Sequence, residues 1–303
     1  MKKLYLAICL CLASQALVAQ QDPIYSLYLN NPFVLNPAYA GLQNNLSASA
    51  SFRQQWAGLA GSPTTINANG HMSLFKNKMG AGLLITSDQA GSTDVTEVFG
   101  AYSYRIGINS STTLAFGIQG GMQNFNVNTS GVRPQHTGDP FFDNLIRQTK
   151  PMIGAGVILT SDNYFFSFSV PRMLKNNLES AGLQGELYNQ HFYLMGSYVF
   201  MLQERIRLKP SVLLRMVNHA PTTYDINAAL IFFENYQAGV LTRNFNTYGL
   251  FFQMLIRDFL RVGYVFEVPT GNSVGANFTS HEITAGVRFN VLRFHSNMSV
   301  FSY

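Results

Sequence analysis

The chain has 303 residues, of which 12% are charged, 47% hydrophobic and 13% aromatic, with a formal charge of +5. Charged side chains reach about half of the roughly 25% usual in soluble domains. The basic residues stand singly instead of forming a patch, which excludes nucleic acid as a partner.

The first twenty residues have the layout of a secretory signal. Lys2 and Lys3 precede an apolar core from Leu4 to Leu12, and small residues follow around Ala16 and Ala19, so cleavage is expected after Ala19 or Gln20. The core is shorter than the ~20 residues of a membrane-spanning helix. Removing Lys2 and Lys3 leaves 18 basic against 15 acidic residues, a charge of +3. Both cysteines, Cys9 and Cys11, depart with the signal, so the exported chain has neither disulfides nor thiolate metal sites. No later run of apolar residues is long enough for a helical span.

Residues 21–45 are rich in Asn, Pro and Tyr and show no sustained period. They predict an extended segment with turns at Asn31-Pro32 and Asn36-Pro37. Composition alone is equally compatible with a segment that lines or plugs a lumen and with a plain periplasmic tail. From residue 46 to the end, 303, the sequence predicts one outer-membrane β-barrel.

Period-two alternation dominates that region. Leu46-Ser-Ala-Ser-Ala-Ser-Phe-Arg53 sets Leu46, Ala48, Ala50 and Phe52 against Ser47, Ser49, Ser51 and Arg53. Tyr224, Ile226, Ala228, Leu230 and Phe232 alternate with Asp225 and Asn227, and Ile283, Ala285, Val287 and Phe289 alternate with Glu282, Thr284, Gly286 and Arg288. Such strands suit a wall with lipid on one side and a polar lumen on the other. Strands are predicted near 46–53, 64–74, 79–87, 95–107, 112–124, 151–160, 164–170, 190–202, 206–217, 222–233, 236–243, 247–257, 259–268 and 281–292. The total of fourteen is even, as bacterial single-chain barrels require, and most are long enough to cross at a tilt.

Connections after even-numbered strands are tight, at 75–78, 108–111, 161–163, 203–205 and 234–235. Those after odd-numbered strands are mostly longer, at 54–63, 87–94, 125–150, 171–189 and 269–280, with a short one at 244–246. Barrels of this class turn tightly on the periplasmic side and loop outward at the cell surface. Both termini are therefore expected in the periplasm and the long loops outside. Pro210 falls inside the ninth strand, where it cannot donate to the ladder, and predicts a bulge. That strand directs Arg207, Lys209 and Arg215 to the lumen side. Phe99, Phe165, Leu213 and Phe251 also point inward, which predicts a lumen at least partly filled.

Signals for chemistry are sparse. The six histidines are dispersed, and His281-Glu282 are neighbours without the i, i+4 spacing of a zinc helix. Gly80-Ala-Gly82 and Gly154-Ala-Gly156 lie in strand-like stretches with no helix following, so packing inside a barrel explains them better than phosphate binding. No catalytic, cofactor or metal residue is assigned, and a non-enzymatic chain is expected. A passive porin or hydrophobic small-molecule transporter is the second reading. An outer-membrane lipase or acyltransferase is the third, because a Ser–His pair on neighbouring strands leaves no linear motif.

Specific residues carry a family resemblance. They are Gln21-Asp-Pro-Ile-Tyr-Ser-Leu-Tyr28, Asn31-Pro32, Asn36-Pro-Ala-Tyr-Ala-Gly41, Arg53-Gln-Gln-Trp56 with Gly58, Gly61 and Pro63, Gly185-Glu-Leu-Tyr-Asn-Gln190, Lys209-Pro-Ser-Val-Leu-Leu-Arg215, Asp225-Ile-Asn-Ala228, Arg261-Val-Gly-Tyr264 and His281-Glu-Ile283. The chain resembles the PorP/SprF family of type IX secretion and gliding-motility outer-membrane proteins. The resemblance implies a barrel in outer-membrane lipid that binds a secreted, adhesin-like cargo through its C-terminal signal, for export or surface retention. Other type IX secretion or gliding components are implied as partners.

The family motifs nominate Asn36, Pro37, Tyr39, Gly41, Arg53, Trp56, Pro63, Glu186, Tyr188, Gln190, Asp225, His281 and Glu282 as partner-binding or motif positions. Each also has a structural reading. Asn-Pro turns fix chain direction, Trp56 suits an aromatic belt at the membrane interface, and Asp225, Glu282 and Arg288 can form ion pairs inside the wall.

Overall fold

The computed structural model describes residues 26–29, 31–127, 146–174, 176–180, 183–188, 190–218, 220–270 and 276–296. Three short 3-10 turns, Ser26–Leu29, Pro32–Val34 and Pro37–Tyr39, precede the strands. Those are β1 (Leu46–Gln54), β2 (Thr64–Leu74), β3 (Met79–Ala90), β4 (Thr93–Gly107), β5 (Thr113–Val127), β6 (Ile146–Thr160), β7 (Tyr164–Val170), β8 (Asn176–Ser180), β9 (Leu183–Tyr188), β10 (His191–Tyr198), β11 (Phe200–Gln203), β12 (Ile206–Val217), β13 (Thr223–Phe232), β14 (Tyr236–Arg243), β15 (Thr247–Ile256), β16 (Leu260–Pro269) and β17 (Ser280–Phe289).

β10 and β11 are one strand interrupted at Val199, and β8 pairs only with β9 as a separate hairpin. The others run antiparallel in chain order. Pairing of β1 with β17, and of β10 with both β7 and β12, closes a barrel of fourteen strands, as the alternation predicts.

The two faces of each strand are inverted relative to a soluble sheet. Along β4, Glu97, Phe99, Ala101, Ser103 and Arg105 are buried, while Val98, Tyr102, Tyr104 and Ile106 keep 42–46% of their surface exposed. The same holds at Arg53 against Phe52 and at Glu282 against Ile283. Apolar residues face outward because hydrocarbon replaces water there, and the strands pair in a closed ring because lipid cannot satisfy a free sheet edge.

Three connections differ from expectation. The loop predicted over 87–94 is a two-residue turn, because β3 and β4 stay paired to Ala90 and Thr93 and Gly91 supplies the positive φ of +58°. β5 and β6 likewise stay paired to Val127 and Ile146, so a wall of strands with 12 to 15 residues, β3 to β6, rises above its neighbours. Part of the 171–189 connection forms the β8–β9 hairpin.

No bulge accompanies Pro210. Ser197 faces Ser211 and Phe200 faces Leu208 in one continuous register, and Pro210 pairs regularly with Ala228 on its other side. The missing N–H is accommodated by breaking the partner strand at Val199, whose own N–H donates to the Asn163 carbonyl at 2.7 Å. The irregularity on this edge lies instead between Met201 and Gln203.

Candidate functional site: the occupied lumen and its mouth

Residues 31–45, which precede β1, lie inside the barrel. Phe33, Asn36, Ala38, Tyr39, Ala40 and Leu42 are all at most 3% exposed, and the segment's partners come from strands around the ring. For residues 31–45 this favours lumen filling over a tail; residues 21–25 of the predicted segment lie outside the described residues.

Asn36 holds the middle of the segment. Its Oδ1 accepts from the Ala38 N–H at 2.9 Å, capping the turn at Pro37–Tyr39. Its Nδ2 lies within donor distance of Ser167 Oγ at 2.8 Å and of the Val157 and Phe168 carbonyls at 3.1 and 3.2 Å. Pro37 is buried beside it. Tyr39 accepts from Gln43 Nε2 at 3.0 Å and meets His71 and Phe165 edge-on.

The wall is shaped for this contact by absent side chains. A Cβ on Gly80 would sit 2.0 Å from the Ala40 carbonyl oxygen, one on Gly117 2.1 Å from the Ala38 nitrogen, and one on Gly156 2.1 Å from Asn36 Oδ1. Gly82 similarly admits the Phe33 ring, at 2.6 Å. Three of these four come from the Gly-Ala-Gly pairs, so packing inside the barrel is their role.

At the tight-turn end, Gly41 adopts φ +69° and donates its N–H to His71 Nδ1 at 3.1 Å. Arg105 donates to the Gly41 carbonyl, to Asn44 Oδ1, to Ser73 Oγ and to the Met79 carbonyl. The chain after β17 folds beneath this region: Ser296 donates to the Asn44 carbonyl, and the His295 ring lies against the Ser73 carbonyl at 2.9 Å.

At the long-loop end, charges do the holding. Arg53 bridges Glu267 at 2.5 Å and Glu282 at 3.3 Å, and Arg243 pairs with Asp225 at 3.2 Å and with Glu267 at 3.7 Å. Ser26 joins this network through its backbone N–H, which donates to Glu282 at 2.7 Å, and through its hydroxyl, which contacts Glu267 and receives Arg53 at 3.0 Å. Thus Arg53, Asp225 and Glu282, nominated separately from sequence, converge through shared partners. Arg288 sits elsewhere, its Nε donating to the Asp258 carbonyl at 2.7 Å near a tight turn.

The mouth is narrowed by the chain after β7. Gln119 Nε2 donates to the Pro171 carbonyl at 2.8 Å, Arg172 bridges buried Glu97, and Leu174 packs on the core around the segment. Trp56 and Pro63 flank the loop from β1 to β2. The Trp56 backbone N–H donates to Ser280 Oγ at 3.1 Å, and the Pro63 carbonyl accepts from the Gln55 backbone N–H at 2.9 Å.

The remaining nominated residues do not join this centre. His281 turns outward, away from Glu282, and its ring contacts Tyr264 Oη at 2.7 Å and Thr279 Oγ1 at 3.0 Å on the lipid-facing side. One residue of separation along a strand places the two on opposite faces. Glu186 and Tyr188 belong to β9, and their side chains lie outside the described residues. Gln190 is half-buried just before β10.

Glu267, Arg243, Ser26, Arg105 and the wall glycines were not nominated. Alternation marks Glu267 and Arg105 as inward, but their partners are remote in sequence. Among the described residues, voids beside the segment include one of about 20 Å³ near Tyr28, Asn31 and Thr284 and one of about 10 Å³ near Gln43 and Arg261, each fit for a water or two.

A closed ring of fourteen strands, greasy outside and polar within, defines an outer-membrane β-barrel. Its fold is shared with the Pseudomonas putida toluene transporter TodX (10% identity, 87% of this chain and 95% of that one, TM-score 0.51). It is also shared with a Pseudomonas aeruginosa FadL homologue (10% identity, 85% and 93%, TM-score 0.50). At these identities the likeness concerns the fold alone. No curated protein matches the sequence. The chain belongs to the PorP/SprF family of type IX secretion system membrane proteins, whose profile matches residues 17–287.

Proposed function

We propose that the protein is a non-enzymatic binding barrel of the type IX secretion system. It takes hold of a secreted, adhesin-like protein through that cargo's C-terminal signal and supports its export or retention at the cell surface, alongside other secretion or gliding components. The observation that carries this reading is the lumen filled by residues 31–45 and narrowed at its mouth by Pro171 to Leu174. A barrel occupied by its own chain has no room for a passing polypeptide, so a partner is met at the long-loop mouth. The same occupancy weighs against a passive porin.

Transport of small hydrophobic molecules is a second reading, favoured by the fold shared with TodX, and it requires the segment to leave its glycine seat. Against catalysis stand the bonds of His71, His281 and His295, each engaged in holding backbone or a neighbouring side chain.

The test is purification of the tagged protein from detergent-solubilised outer membranes, with identification of the chains that follow it. Recovery of a large secreted protein, lost when residues 128–145 or 176–188 are replaced by a short linker while the barrel still assembles, supports the proposal. Unchanged recovery after both replacements, or single-channel conductance in place of binding, sinks it.

A further inference from the structure

The direction in which the N-terminal segment runs has a consequence for how the protein sits in its membrane. Ser26 is held by Arg53, Glu282 and Glu267, with Arg243 Nη2 at 3.4 Å. Arg53 is the penultimate residue of β1, Glu282 the third of β17, Glu267 the third from the end of β16, and Arg243 the last of β14. All four positions belong to the long-loop ends of their strands.

From there the chain descends. Asn31 reaches Ser49 and Asn69, Asn36 reaches Ser167, and Ala40 and Gly41 reach Ser103 and Arg105. The Asn45 carbonyl finally accepts from Ser73, two residues before the tight turn that joins β2 to β3.

We infer that the protein threads its own barrel from the long-loop mouth inward, so that the start of the exported chain lies on the same side of the membrane as the long loops. This departs from the expectation that both termini face the periplasm. For the chain to arrive at Ser26 from the other side, it would have to climb beside the segment for the seven steps from Leu46 to Arg53, about 23 Å along the strand. Fully extended, the five steps from Gln21 to Ser26 reach about 18 Å at most, short of that climb. The inference rests on this geometry and not on the proposed binding of cargo.

The experiment places one epitope, flanked by Gly-Ser linkers, at three positions in otherwise unaltered protein in its own cells: after Gln21, after Ala60 in the exposed loop between β1 and β2, and after Ser110 in the exposed turn between β4 and β5. Antibody binding is compared before and after the outer membrane is permeabilised. The Gln21 epitope is expected to behave like the Ala60 epitope and opposite to the Ser110 epitope, with a tenfold or greater contrast between the two sides. Should it follow the Ser110 epitope, the inference is overturned, whichever side proves to be outside.

If insertion blocks assembly, the same comparison uses D22C, A60C and S110C with a membrane-impermeant maleimide. The only natural cysteines, Cys9 and Cys11, lie in the signal region. Labelling of D22C that matches S110C overturns the inference, and labelling that matches A60C upholds it. Loss of cargo recovery with the Gln21 result intact would sink the proposed function and leave this topology standing.

Discussion

The two halves of the barrel grip the same segment by different physics. On the side of β3 to β7 the contact is close packing: wall glycines leave the space that backbone atoms of residues 36–40 fill, and Phe99, Met152, Ile158 and Phe165 complete a dry core. On the side of β13 to β17 and β1 the contact is charge, with Arg53 and Arg243 shared among Asp225, Glu267 and Glu282 and with Ser26 inserted between them. Packing is unforgiving of added volume, whereas a buried ion network is unforgiving of a lost partner. The two halves should therefore fail under opposite kinds of substitution.

The largest effect is expected from Arg53→Ala, which takes a buried cation away from both Glu267 and Glu282. Stability measured by denaturant unfolding in lipid vesicles, with Trp56 as the single fluorescent reporter, should fall by about 3–5 kcal/mol. A loss under ~1 kcal/mol would mean that the charges are hydrated and that the network does not hold the segment.

Gly117→Ala comes next. Its methyl would press on the Ala38 nitrogen, and overpacking of this kind costs about 1–3 kcal/mol. In the same assay, unchanged stability would show that residues 36–40 rest further from the wall. Asn36→Ala removes the cap and the bonds to β6 and β7, with an expected cost of about 1–2 kcal/mol; full stability in that variant would leave the segment's middle without its anchor.

Gly120→Ala is the smallest and reverses the sign. Nothing lies within 4 Å of its would-be Cβ on the outer face, so a change of no more than about 1 kcal/mol, neutral or stabilising, is expected. A destabilisation as large as that of Gly117→Ala would erase the distinction between glycines that seat the segment and glycines that merely tolerate lipid.

Much of the wall was legible in the sequence, because alternation is local: Phe52 outward and Arg53 inward follow from adjacency alone, and so does the division of β13 and β17. The inward Phe99, Phe165, Leu213 and Phe251 were legible for the same reason. What could not be read locally was pairing. Arg53 reaches Glu267 and Glu282 because β1 closes on β17 and β16 lies next to it, separations of more than 200 residues that no spacing rule encodes.

The position of residues 31–45 was equally hidden, since a segment without periodicity looks alike as tail or as lumen filling until its wall is present. Strand ends were misjudged where the wall rises at β3 to β6, because those strands continue beyond the span that hydrocarbon demands. His281 shows the limit of motif reasoning, as its adjacency to Glu282 is what separates them across the wall.

The glycine seat also bears on the order of assembly. Residues 33–41 and the seat formed by Gly80, Gly82, Gly117 and Gly156 all occur within the first 156 residues, whereas the ring is shut by β17, from residue 280, against β1. The early strands can therefore curl around the segment while the sheet is still open, using it as a mandrel. On that order of assembly the final strands would seal a cylinder already occupied by residues 33–41.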